Sequence, residues 1–312
     1  MNVLVLLPFH DGQRATLEAG APDAEFVYTT KADVTDEQIE AADAIIGSLA
    51  PDRLPAARNL KLLQLNSAGY DNYVNPAGTV PADVKLTCAV GAYGQAVSEH
   101  MFAMLLALMK RLIGYRDDQR AHEWTDRGPV TTLANTRVLV LGAGDIGAHF
   151  ARLCSAMGAH VCGLRRHVGE VPEGFEAMRT MDELFDLLPD ADVVVSFLPS
   201  SDATRRLADK KFFDACKQGC YFVNGGRGDL VVQDDLIAAL ESTKLAGAAI
   251  DVTTPEPLPA DSPLWDAPNL FITPHVAGQF HLYTVLDNIA AIAAENLRHL
   301  AAGEPLRNEV AH

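Results

Sequence analysis

No Cys-x-x-Cys pair occurs in this 312-residue chain, and its five cysteines (Cys88, Cys154, Cys162, Cys216, Cys220) form neither an even disulfide set nor a zinc-ligand spacing. Reduced, mostly buried thiols in a cytoplasmic protein are the expectation. The longest apolar stretch, Met101 to Met109, is too short to cross a bilayer. The N-terminus, Met-Asn-Val-Leu-Val-Leu-Leu-Pro, lacks a basic n-region and reads as a first strand rather than a signal peptide. Positive charge is in deficit: the formal net charge of −16 argues against nucleic acid or an anionic membrane as partner. Neither a G-x-S-x-G elbow nor an H-E-x-x-H pair is present, so a serine hydrolase and a metal site both lack support. Repeats, low-complexity tracts and glycine-serine linkers are missing too.

What is present is an ordinary globular composition in a chain too long for one typical core. Short apolar runs alternate with helical patterns. Candidate strands are Val3–Leu7, Glu25–Thr29, Ala44–Ile46, Leu60–Leu65 and Lys85–Val90, then Arg137–Leu141, His160–Leu164, Val193–Leu198, Tyr221–Asn224, Ala248–Asp251 and Leu270–Thr273. Helices are expected around Arg14–Ala19 and Asp36–Ala41, over a long stretch from Gln95 to Gln119, and from Leu282 to Ala302. This order predicts an α/β protein of two Rossmann-like domains, one flavodoxin-like and one dinucleotide-binding, each with a parallel sheet and with a cleft between them. Residues 1–97, completed by 284–312, would be the substrate-binding domain and 98–283 the dinucleotide-binding domain.

The most informative segment is Val138 to Phe150, an apolar run followed by G-x-G-x-x-G and the start of an amphipathic helix, Ala148–Met157. Gly142 allows a tight turn, Gly144 lets a pyrophosphate approach the backbone, and Gly147 lets helix and strand pack closely. The unpaired N–H groups and positive dipole end of that helix favour phosphate. Asp145 and Ile146, inside the turn, and Pro199, beyond a later strand, are counted with the cofactor contacts. An NAD site places a carboxylate about 20 residues past the glycines, on the ribose 2′-hydroxyl. Here the second strand ends in Arg165-Arg166-His167, and no carboxylate follows until Glu170. A guanidinium cannot accept that hydrogen bond but can grip a 2′-phosphate. The expectation is therefore NADP(H) in preference to NAD(H), with Arg165 and Arg166 on the 2′-phosphate. In a chain this acidic, any anion site must hold its own cations.

Three polar residues follow further predicted strands: Arg227 in Val223-Asn-Gly-Gly-Arg-Gly228, Glu256 five residues past Asp251, and His275 in Thr273-Pro-His-Val-Ala-Gly278. Carboxyl ends of strands are where an open α/β sheet places its site. Together with Ser67-Ala-Gly-Tyr-Asp71, Ala96-Val-Ser-Glu-His100 and the glycine motif, these segments closely resemble the D-isomer-specific 2-hydroxyacid dehydrogenases nearly end to end. The resemblance, which includes glyoxylate and hydroxypyruvate reductases, implies that Arg227, Glu256 and His275 are the catalytic arginine, glutamate and histidine. Reducing a 2-oxo acid puts hydride on the carbonyl carbon, so the oxygen must gain a proton, which His275 can donate. Glu256 would fix the ring's tautomer and favour its protonated form, while Arg227 would hold the substrate carboxylate and polarise the carbonyl.

The resemblance also places Ala68 and Gly69 on the substrate carboxylate, although those residues equally suit a simple turn. Asp251 either caps the turn after its strand or lies near the nicotinamide amide. His100 and Glu99, inside the long helix, read as packing or hinge residues. Formate dehydrogenases carry glutamine in place of Glu256, which argues against that activity. The competing class is a dinucleotide-sensing binding protein of the carboxyl-terminal-binding corepressor type. A homodimer built largely by the cofactor domain is expected from the resemblance and from an apolar face, Val97 to Met109, that exceeds what one core needs.

Overall fold

The computed structural model describes residues 1–74 and 80–312. It separates into two compact units, Met1–Tyr93 with Phe280–His312, and Gly94–Gln279. No helix among the described residues is long and apolar enough to cross a membrane.

The first unit begins β1 (Asn2–Val5), α1 (Asp11–Ala19), β2 (Glu25–Tyr28), α2 (Asp36–Ala41), β3 (Ala44–Ile46), β4 (Leu62–Gln64), α3 (Asp71–Val74) and β5 (Lys85–Thr87). Its strands are parallel in the order β2-β1-β3-β4-β5, a flavodoxin-like winding. β3 and β4 are buried at every residue, as strands covered on both faces must be. Capping boxes at His10 and Thr35 start α1 and α2. The core gathers Leu4, Ile39, Ile45, Leu63 and Leu86, and Val310 near the chain's end joins it. The terminal helix Tyr283–Ala302 is tied to this sheet by buried polar groups: Asn296 Nδ2 and Thr87 Oγ1 both donate to Gln64 Oε1, at 2.7 and 2.8 Å.

The second unit runs α4 (Gly94–Met109), α5 (Leu112–Ala121), β6 (Arg137–Leu141), α6 (Asp145–Ala156), β7 (His160–Arg165), β8 (Ala177–Thr180), α7 (Leu184–Leu187), β9 (Val193–Ser196), α8 (Lys210–Ala215), β10 (Cys220–Asn224), α9 (Gln233–Glu241), β11 (Leu245–Ile250) and β12 (Leu270–Ile272). The sheet order β12-β11-β10-β9-β6-β7-β8, all parallel, is the doubly wound dinucleotide-binding order. The order reverses between β6 and β9, and such a reversal opens the crevice at the strands' carboxyl ends. Phe212, Phe213 and Phe222 pack edge to face in this unit's core, with centroids 5.4–6.0 Å apart.

Three expectations need correction. The long helix from Gln95 is two helices, because Arg111 adopts a left-handed backbone (φ 57°) and its guanidinium donates to the carbonyl of Arg127. The phosphate-side helix begins at Asp145, not Ala148, so Gly147 lies inside it. Val97, Met101, Leu105 and Met109 are buried and Leu106 is half-buried, so the apolar face of α4 is largely packed within the chain and does not by itself argue for a dimer.

Candidate functional site

The glycine turn sits at the reversal of strand order. Gly144 is the N-cap of α6, and no side chain caps the helix there among the described residues. The first amides of α6 are thus left for a partner that is not part of the helix. A Cβ built on Gly144 would meet no described atom within 4 Å, whereas one on Gly147 would stand 2.4 Å from the carbonyl oxygen of Gly142. Gly147 is required by close packing, and Gly144 leaves a space. Asp145 opens the helix with its carboxylate 3.4 Å from His149 Nδ1, Ile146 is half-buried, and Pro199 is exposed past the end of β9.

Arg165 is the last residue of β7, half-buried, with Nη2 donating to the carbonyl of Glu170 at 2.7 Å. Its Nε is buried and has no hydrogen-bond partner among the described residues. An orphaned buried donor carries a desolvation cost of about 1–3 kcal/mol, which an anionic ligand would relieve. Arg166 follows, exposed. An open cradle at Gly144 and uncapped helix amides fit the phosphates of a dinucleotide.

The other candidate residues follow β10, β11 and β12, three adjacent parallel strands. After β10, buried Asn224 donates from Nδ2 to the carbonyl of Arg227 (2.9 Å) and accepts from the amide of Gly226 (3.2 Å), shaping the turn that presents Arg227. A Cβ on Gly228 would stand 2.1 Å from the backbone of Thr253, so this turn needs glycine to lie against the segment after β11. In that segment Glu256 Oε1 accepts from the amide of Thr253 at 2.9 Å. Its other oxygen, Oε2, lies 2.7 Å from His275 Nδ1. A carboxylate there accepts, so Nδ1 carries the hydrogen and Nε2 is the nitrogen left for chemistry.

His275 stands in the left-handed region, φ 53°. That conformation costs a non-glycine residue roughly 1–2 kcal/mol, so the surroundings must enforce it. Asp251 does so: its carbonyl accepts from the His275 amide at 2.7 Å, Oδ1 from the Val276 amide at 3.0 Å, and Oδ2 from the Ala277 amide at 3.1 Å. These contacts hold the turn after β12, not the one after β11, the strand that leads to Asp251, a role that neither reading of Asp251 named. The structure thus brings His275, Glu256 and Asp251 into one network and sets Arg227 on the neighbouring strand end. Ala68 and Gly69 belong to the first unit, half-buried in a turn where Ser67 Oγ donates to the Gly69 carbonyl at 2.6 Å. Sequence reasoning missed Asn224, Thr253 and Thr273 as supports, and no signal short of the fold marks them.

Comparison with known proteins gives a consistent result. A family model described as D-isomer specific 2-hydroxyacid dehydrogenase, NAD binding domain, matches residues 102–277. The chain is 33% identical over 254 residues to glyoxylate/hydroxypyruvate reductase B of Enterobacter sp. strain 638, covering 78% of this chain and 75% of that protein. It superposes on a D-isomer specific 2-hydroxyacid dehydrogenase family protein from Aeromonas salmonicida with a TM-score of 0.87, at 32% identity over 99% of this chain and 98% of the other. It also superposes on an NADPH-dependent glyoxylate/hydroxypyruvate reductase from Sinorhizobium meliloti, solved with NADP and sulfate (TM-score 0.82, 28% identity, 99% and 98% covered).

Proposed function

The chain belongs to the D-isomer-specific 2-hydroxyacid dehydrogenases, and from that we propose that it reduces small 2-oxo acids to 2-hydroxy acids with NADP(H), using Arg227, Glu256 and His275. The observation that carries this reading is the 2.7 Å contact between Glu256 Oε2 and His275 Nδ1 at the carboxyl edge of the sheet that also bears the glycine turn. A bound reduced nicotinamide supplies the hydride. Its phosphates are assigned to the turn Gly142–Gly147 with Asp145 and Ile146, and Pro199 lines the other side of the reversal point.

As the carbonyl carbon accepts the hydride, His275 Nε2 gives its proton to the carbonyl oxygen, and oxidation of the hydroxy acid returns it. Glu256 holds Nδ1–H, which keeps Nε2 pointed outward and offsets the positive charge of the imidazolium. Arg227 holds the substrate carboxylate and stabilises charge developing on the oxygen. Ala68 and Gly69 keep their assignment as substrate contacts on the family resemblance alone. The experiment is His275→Ala: turnover falls on the order of 10²–10⁴-fold with NADPH affinity nearly unchanged. Wild-type turnover in that variant would remove His275 from the mechanism.

NADP(H) is proposed over NAD(H), with Arg165 and Arg166 on the 2′-phosphate. Support comes from the unsatisfied Arg165 Nε and from the NADPH dependence of the Sinorhizobium relative. Catalytic efficiency is expected to be higher with NADPH than with NADH, and Arg165→Asp to move the preference toward NADH. The reverse order in the wild type would refute the assignment. A homodimer is proposed on the exposure of Leu112, Trp124 and Val130. A mass of 33.5 kDa by light scattering would exclude it. The five free cysteines agree with a reducing, cytoplasmic setting.

A further inference from the structure

Thr273 stands where three groups meet. Its hydroxyl oxygen lies 2.5 Å from Asp251 Oδ1, 3.1 Å from His100 Nε2 and 3.5 Å from Met104 Sδ. A hydroxyl has one proton to give. The carboxylate oxygen of Asp251 already accepts from the Val276 amide and sits nearest, so the proton of Thr273 points to it. The hydroxyl then meets His100 as an acceptor, and His100 Nε2 must carry the hydrogen. Donation therefore runs in one direction, from His100 through Thr273 to Asp251.

Asp251 is 3% exposed and is the group that holds the turn at His275. Among the described residues its carboxylate meets, apart from His100 at 3.8 Å, residues 273, 276 and 277 around the strained histidine. Thr273 also donates its amide to the Ile250 carbonyl at 3.0 Å, which holds the first residue past β12 against the end of β11. A donor chain anchored on α4 therefore sets the carboxylate that sets the backbone of His275. His100 sits well inside that helix, with its side chain 29% exposed.

We propose that His100 and Thr273 are positioning residues for proton transfer, a hydrogen-bonded brace running from α4 through Asp251 to the left-handed turn that aims His275. Neither residue is assigned contact with substrate or cofactor. The inference rests on the reading of His275 as the acid/base. Because hydroxyl and imidazole act on the geometry of one catalytic group, their loss should appear in turnover rather than in affinity for either substrate.

The test uses purified full-length protein with NADPH and glyoxylate or hydroxypyruvate. Thr273→Val keeps the side-chain volume and removes the hydroxyl, and His100→Leu removes the donor. Both are expected to lower kcat, Thr273→Val by on the order of 10–100-fold, the range that misplacement of about 1 Å costs. KM and NADPH affinity should stay near wild type. Thr273→Ser and His100→Gln, which keep the hydroxyl and an N–H donor, should recover most of the rate. In a His275→Ala background Thr273→Val should cost nothing further, since there is no imidazole left to aim. A merely structural role would add its loss in both backgrounds. If Thr273→Val does not fold, His100→Leu at its partly exposed position decides alone. The brace is overturned if His275→Ala shows its fall on the order of 10²–10⁴-fold while His100→Leu and Thr273→Val keep wild-type kcat, or if the losses add in the double variant. Wild-type turnover in His275→Ala would instead overturn the acid/base reading, and the brace with it.

Discussion

Each of the two sheets sends its first strand into a turn and then into a helix, and the two turns are built for opposite ends. After β1 the chain reaches His10, whose Nδ1 accepts from the amides of Gly12 and Gln13 at 3.1 and 3.4 Å, while Gln13 Oε1 accepts the His10 amide at 3.1 Å. Gln13 also donates to Asp287 on the terminal helix at 2.8 Å, so the start of α1 is closed by its own chain. After β6 the chain reaches Gly144, which has no side chain to offer, and the amides of α6 stay open. Both helices have the same orphan donors and the same dipole. On the proposed reading, what would make one of them a site is that the residue before it withholds a cap. The topology alone does not distinguish them.

The sharpest way to break that contrast is Gly147→Val. Its Cβ would be driven against the Gly142 carbonyl at 2.4 Å, which is backbone and has no easy way to yield. We expect β6 and α6 to separate, with a stability loss of about 3 kcal/mol or more and no NADPH binding. Thermal denaturation and cofactor titration read both effects. Gly144→Val is the more selective substitution, because the space around its Cβ is clear of described atoms. Its melting temperature should match the wild type while NADPH affinity falls. Losing one or two charge-assisted hydrogen bonds, each worth about 1.5–3 kcal/mol, means on the order of 10–10⁴-fold. His10→Ala gives the smallest effect and the opposite pattern. It should cost about 0.5–2 kcal/mol of stability through the lost cap, with cofactor affinity untouched. Equal loss of affinity in His10→Ala and Gly144→Val would erase the distinction between the two turns.

How much of this could be read from the chain follows from which interactions are local. The parallel sheets were legible because strands covered on both faces read as unbroken apolar runs, as at Val193–Ser196, buried throughout. β8 escaped because Ala177–Thr180 has a single buried position and no such run. The break at Arg111 left no mark either, since Leu112, Ile113 and Tyr115 continue the helical spacing beyond it. The start of α6 was placed late because a glycine reads as loop, while Gly147 serves helix-to-turn packing. For the site, the order of motifs marked Arg227, Glu256 and His275, and their approach to one another comes from strand adjacency. Thr273 and His100 are 173 positions apart, and no local pattern joins them.

The central claim is hydride transfer to a small 2-oxo acid, and the most direct measurement is the absorbance of reduced cofactor during incubation of purified protein with NADPH and a size-graded panel of 2-oxo acids starting at glyoxylate and hydroxypyruvate. The account predicts a loss of absorbance that requires both protein and 2-oxo acid and is slowed on the order of 10²–10⁴-fold in His275→Ala. NADPH bound tightly but left unoxidised with every short 2-oxo acid would contradict it, and would favour a dinucleotide sensor in place of an enzyme.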